Sequence, residues 1–250
     1  MNKLSIGLLG LATLTAGVAA APAYADMSVS YFSVAQDGKD FGPTVCCYVS
    51  HDEVLSTLGP NGLPVANLAS TSPHPLQDYD PTTHELTWFT PSAGVTNTLS
   101  TTITGNSFNN GNFNTPNGSG ANDSQGTFQT AIFSGSFSFA TPQNFTFSIG
   151  ADDDAWMFVD GNQVVQLGGV HSNSNETDTV ALSAGMHTFK LFYADQQSGG
   201  ASLSFSIPDN VIVTVPTGVP EPASWAMMLG GFGMIGGAMR RRGTAALRAA

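Results

Sequence analysis

The stretch NFTFSIGADDDAWMFVDGNQVVQL (residues 144–167) decides the fold. Phe145, Phe147 and Ile149 alternate with Thr146 and Ser148, the period-two pattern of a strand buried on one face. Two short apolar runs follow, Ala155–Val159 and Gln163–Leu167, joined at Asp160-Gly161. A Gly-containing pair between such runs is a strong hairpin signal, because a tight hairpin turn needs positive φ. Working outward, similar runs occupy Met27–Val34, Glu85–Phe89, Thr127–Phe139, Thr177–Leu182, Gly185–Tyr193 and Ala201–Ile207, and Ser183-Ala184-Gly185 forms another tight connection. Between the two ends of the chain no long window shows a 3.6-residue period. The expectation is an all-β ectodomain, an antiparallel sandwich or barrel. Residues 106–125, rich in Asn, Gly, Ser and Thr, read as a long surface loop.

The ends belong to export. Lys3, the apolar run Ile6–Ala20 and the small-x-small site Ala23-Tyr24-Ala25 before Asp26 have the layout of a secretory signal peptide. At the other end Pro220-Glu221-Pro222 precedes an uncharged apolar segment, Ala223–Met239, and then Arg240, Arg241 and Arg242. A helix over 223–239 would rise roughly 25 Å, the short end of a bilayer core of about 30 Å. Trp225 would lie near one interface and the arginines would hold the other end cytoplasmic. Pro220, Glu221, Pro222, Trp225, Ala226, Met227, Met228 and the arginines resemble the PEP-CTERM sorting tail of Gram-negative bacterial export. That resemblance implies an exosortase as partner, a transient inner-membrane anchor, and delivery to the cell surface or the extracellular, biofilm-associated matrix. The expected organisation is a signal peptide at 1–25, a β-domain at 26–208, a linker at 209–219, the sorting tail at 220–242 and a cytoplasmic end at 243–250.

Between those ends the charge is one-sided. Seventeen of the eighteen acids lie from Asp26 to Asp209, against Lys39 and Lys190 alone. Such a surface disfavours nucleic acid and suits a divalent cation or a neutral glycan, while solubility outside the cell explains most of the excess. Cys46 and Cys47 are adjacent. Neighbouring cysteines close only a small ring, so a loop-stapling bridge is excluded. Unpaired or locally bridged thiols are expected, with intermolecular pairing as the alternative in an oxidising compartment.

The chemistry concentrates at Asp152-Asp153-Asp154. Consecutive carboxylates repel one another unless they are hydrated or share a cation. Calcium, with six to eight oxygen ligands in flexible geometry, fits such a run. Asp195, at the end of a later strand, is a further candidate ligand, and Asp154 and His171 are weaker ligand-binding candidates. The competing reading is a solvated acidic turn with Trp156 and Phe158 as core anchors. The segment from Gly150 to His171 resembles the fibro-slime domain, whose core runs from an Asp triplet through a Trp-x-Phe strand and an Asp-Gly turn to Leu-Gly-Gly-x-His. Residues 56–65 and 189–195 resemble that domain's early and late segments. Where the domain has Arg-His after the late strand, this chain has Gln196-Gln197. More distantly the segment is similar to the β-sandwich of the anthrax protective antigen and of yeast and bacterial adhesins. There an aspartate pair holds calcium beside a glycan site, and the matching positions here are Asp152 and Asp153. No nucleophile with its base, phosphate loop or metalloprotease motif is present, and neighbouring aspartates do not provide a glycosidase pair. The expected protein is a non-enzymatic, exported polysaccharide binder, with a ligand-free structural matrix component or a glycan-active enzyme as alternatives.

Overall fold

A computed structural model of the chain describes residues 26–37, 39–42, 46–110 and 126–207. The expected signal-peptide site at Ala23 and Ala25, the expected linker at 209–219 and the C-terminal tail lie outside that set. Among the described residues no helix is long and apolar enough to cross a membrane.

The described chain is all-β, with every strand pair antiparallel. Its strands are β1 (Asp26–Ala35), β2 (Val95–Thr104), β3 (Ser107–Asn110), β4 (Thr127–Phe139), β5 (Gln143–Asp152), β6 (Asp154–Val159), β7 (Asn162–Leu167), β8 (Ser174–Leu182), β9 (Gly185–Ala194) and β10 (Ser202–Ser206). They form a six-stranded sheet in the order β2-β1-β4-β9-β6-β7 and a four-stranded sheet in the order β3-β10-β5-β8. The inward faces make the first core. Phe133 and Phe137 of β4, Phe145, Phe147 and Ile149 of β5, Leu191 and Tyr193 of β9 and Phe205 of β10 meet there.

The other face of the six-stranded sheet is also buried, under the irregular chain between β1 and β2. Phe41, Leu86, Trp88 and Phe89 from this cover pack on Trp156, Phe158 and Phe192 from the sheet. The Trp88 and Trp156 rings lie 5.7 Å apart, and Phe89 meets Phe192 edge-on at 5.1 Å. This double burial explains why β6 is apolar at almost every position: Ala155, Met157 and Val159 face the inner core, and Trp156 and Phe158 face the cover.

Three expectations are corrected. Glu85–Phe89 is not a strand: Glu85 and Leu86 make isolated bridges, and Thr87–Phe89 is a 3-10 turn that delivers Trp88 and Phe89 to the sheet. The supposed surface loop at 106–125 opens with β3, which pairs with β10 and packs Phe108 on the inner core. β2 was not expected at all. The hairpin at Asp160-Gly161 and the turn at Gly185 occur as read, with Asp160 at φ 50°, Gly161 at φ 78° and Gly185 at φ 124°.

A candidate cation and glycan pocket

β5 and β6 are consecutive in sequence but belong to different sheets. The Asp152-Asp153-Asp154 run is therefore the corner at which the chain crosses the sandwich. Two other crossings lie beside it, from β7 to β8 through residues 168–173 and from β9 to β10 through residues 195–201. The register places them together: Asp152 pairs with Ser202, Ala151 with Ser174 and Asp154 with Ala194.

Asp153 ties the three crossings. Its side chain is buried, and its Oδ1 accepts the His171 N–H at 2.9 Å. Its Oδ2 accepts the N–H groups of Gln196 and Gln197 at 2.8 and 3.0 Å. Burial pushes its carboxyl up to about 7 against the pull of these donors, and the neighbouring Asp152 charge adds to the rise. Asp152 is half-buried and pushed up to about 6, again by burial first. Its backbone carbonyl accepts the Tyr193 hydroxyl at 2.6 Å. Among the described residues the ion pairs are Lys39–Asp78, His51–Glu176 and His187–Asp160, so neither carboxylate has a cationic side chain as partner.

The two aspartates open into a pocket of about 170 Å³, lined also by Val170, His171, Gln197, Gly200 and Cys47. His171 is 8 % exposed. Its Nδ1 lies 2.9 Å from the Ser172 carbonyl, which only accepts, so Nδ1 carries the proton and Nε2 presents a lone pair. Burial holds the ring below its usual range. Nε2 is buried with no partner.

The other expected residues are placed differently. Asp154 is wholly buried and faces away from this pocket, toward the cover. Its Oδ1 accepts the Gly169 N–H at 2.7 Å, and burial together with the nearby Glu53 charge holds its carboxyl well above the usual range. Asp195 is buried just past β9, with its N–H on the Gln129 carbonyl, and does not line the pocket. Among the described residues no three His, Cys, Asp or Glu side chains group as ligands of one ion. Calcium takes six to eight oxygen ligands, so the two carboxylates would supply only part of its shell.

Sequence reasoning missed the contributions of Cys47, Gln197 and Gly200. Gln196 and Gln197 drew notice only as a departure from Arg-His, yet they serve through backbone N–H groups that any residue except proline supplies. Cys46 and Cys47 adopt the locally bridged alternative, a disulfide between neighbours.

Comparison with known proteins places this architecture. The PA14 domain model matches residues 78–217, more than half of the chain. The chain belongs to the PA14 domain family. That is the wider of the two resemblances read from the central segment. Residues 218–242 match the PEP-CTERM protein-sorting motif, which marks an exported protein sorted to the cell surface. Protein psiC of Dictyostelium discoideum is 33% identical over 73 residues, 28% of this chain and 14% of its own length. The chain thus spans about one seventh of that relative. Among solved structures, the PA14 sugar-binding domain from an RTX adhesin is 19% identical, covering 40% of this chain and 62% of its own at a TM-score of 0.31. The epithelial adhesin 6 A domain from Candida glabrata, solved with Galb1-3GlcNAc, is 12% identical, covering 81% of this chain and 84% of its own at a TM-score of 0.34.

Proposed function

We propose that this PA14 domain binds extracellular polysaccharide at the cell surface through a calcium ion held at Asp152 and Asp153. One observation carries the reading: two adjacent carboxylates without a cationic partner among the described residues open into a pocket walled by three neighbouring sheet crossings. Burial raises both groups above the usual carboxylate range, the direction expected of acids that lack a counter-charge. A divalent ion held there would supply that charge and could bind sugar hydroxyls. Asp152 and Asp153 would hold the ion, and Nε2 of His171 would accept a hydrogen bond from a sugar hydroxyl at the pocket wall. The chain orients; it carries out no reaction. Asp153 is fixed by three backbone donors, and the neighbouring aspartates do not face each other across a cleft as a hydrolytic pair does.

The tail places the domain. After removal of a signal peptide ending at Ala25, the segment 223–239 holds the protein in the inner membrane until an exosortase cuts near Pro220-Glu221-Pro222. The released domain joins the biofilm matrix. The test is co-sedimentation of the protein with the producing cell's exopolysaccharide, in calcium and then in excess chelator. Binding lost in chelator supports a calcium-dependent matrix lectin. Binding absent in both conditions sinks that reading and leaves a structural surface protein.

A further inference from the structure

We infer that the Cys46–Cys47 disulfide is the apolar wall of this pocket, against which the flat face of a sugar ring rests. The inference builds on the cation and glycan reading above and adds the element that selects the ring. A disulfide between neighbours closes no loop of chain, so the usual stabilisation by restricting the unfolded state is minimal. What it does produce is a compact, rigid pair of polarisable sulfurs, and both cysteines are solvent-exposed. Rigid exposed apolar surface is what a pyranose ring uses after its hydroxyls are bound elsewhere.

The placement is specific. Cys47 lines the same pocket as Asp152, Asp153 and His171, although more than a hundred residues separate it from them in sequence. The N–H groups of Cys47 and Tyr48 both donate to the Val170 carbonyl, at 2.7 and 2.9 Å. The disulfide is therefore fixed to the crossing that carries His171. Gly169, at φ 96°, lies under Tyr48 so closely that a Cβ there would come within 2.7 Å of both the Tyr48 ring and its carbonyl oxygen. The chain keeps this contact tight where a side chain would pry it open. His171 lines the same pocket as Cys47, and its buried, unpartnered Nε2 is an independent sign of a ligand, because it lacks the hydrogen bond that a buried nitrogen requires. Acceptor, acids and apolar wall then contact three different parts of one saccharide: a hydroxyl, the hydroxyls on the cation, and the C–H face.

The test uses the protein with its C-terminal segment intact, purified in detergent. Wild type and Cys46→Ser/Cys47→Ser are compared on an array of hexose and deoxyhexose disaccharides in calcium. The strongest disaccharide is then titrated calorimetrically, and calcium alone is titrated separately. The expected result is about a tenfold loss of sugar affinity with calcium affinity kept within about threefold, the loss expected when one sugar face no longer covers apolar surface. If the double variant does not fold, wild type reduced with a phosphine and alkylated is compared in its place. Unchanged sugar affinity overturns the wall and leaves the cation reading standing. Parallel loss of calcium and sugar with a fall in melting temperature makes the bridge a structural tie and also overturns it. A wild type that binds no disaccharide rejects the glycan reading itself, and the wall falls with it.

Discussion

Replacing Asp153 with alanine removes the acceptor for three backbone N–H groups, those of His171, Gln196 and Gln197. These donors lie in two different crossings, so no single local rearrangement satisfies them all. A buried donor left unpaired costs about 1–3 kcal/mol. Three of them, discounted for partial relaxation and rescue by water, amount to about 3–6 kcal/mol. For a domain of this size 1 kcal/mol moves the melting temperature by about 2–4 °C, so Asp153→Ala should melt roughly 10–20 °C lower. Asp153→Asn keeps one carbonyl oxygen. Turned toward Gln196 and Gln197, that oxygen preserves their two bonds, and the amide nitrogen then faces the His171 N–H. Its cost should be about 1–3 kcal/mol. The assay is thermal unfolding in chelator, with amide hydrogen exchange read at 168–173 and 195–200. Faster exchange should appear in both segments in the alanine variant, and in the asparagine variant mainly around His171. An alanine variant melting within about 2 °C of wild type, with unchanged exchange in both crossings, would refute the idea that Asp153 joins them.

Further outcomes follow from the acids and from the tail. Asp40 is wholly buried and pushed up to about 7 by that burial, although the Gln77 and Asp78 N–H groups bond it. Its folded form holds a proton more tightly than the unfolded chain does, so stability falls as pH rises from about 4 to 7, by about 4 kcal/mol for this group at neutrality. Asp52 acts oppositely: the Thr71 N–H and neighbouring hydroxyls hold it down to about 2, so its contribution is present above its ordinary value of 3.8 and lost as pH falls toward 2. Without calcium the domain should therefore melt highest near pH 4–5, and Asp40→Asn should flatten the decline toward pH 8 in a pH series of melting curves; an unchanged slope counts against a buried ionisable Asp40. In the producing cell, Glu221→Ala should leave an unprocessed, membrane-bound form of higher mass; equal masses for the two versions would make the tail a plain anchor.

The strands that sequence patterning reveals are those buried on a constant face. β5 alternates cleanly because its outer face meets solvent, and Asp160-Gly161 marks the β6–β7 turn by chemistry that few other pairs supply. β2 hides for a definable reason. Its register with β1 slips between Tyr31 and Phe32, leaving Thr98 without a partner. Val95 consequently joins the outer core while Leu99 packs on the inner one, although the two are an even number of residues apart. A bulge inverts the phase of alternation, and a period-two pattern read straight through it cancels. Glu85–Phe89 misleads in the opposite way, since a cover segment that drops two aromatic rings onto a sheet has a strand's composition without its ladder. At the site, the acid run singled out Asp152 and Asp153 as candidates but could not say which carboxylate faces solvent. Asp154 begins a strand buried on both faces, so it joins Glu53 in the interior.

The position of the pocket follows from topology more than from any single motif. A strand that changes sheet must leave one ladder before entering the next, and its corner exposes backbone donors that neither sheet can satisfy. Here three such corners meet at one end of the sandwich. A carboxylate is the compact side chain able to accept several N–H groups at once, and Asp153 does so for the two corners beside its own. An acceptor at this junction thus serves the fold before any ligand is considered. Asp152, paired with Ser202 at the rim and half-exposed, is under no such requirement. Structure alone would accept asparagine there, whereas a cation needs the second charge. Asp152→Asn should therefore leave melting in chelator nearly unchanged and abolish the calcium-dependent rise in melting temperature expected of the wild type, about 2.7 kcal/mol of stabilisation at a hundredfold excess over Kd. A calcium-dependent rise of full size in Asp152→Asn would show that the second carboxylate is not a ligand and would move the cation away from this corner.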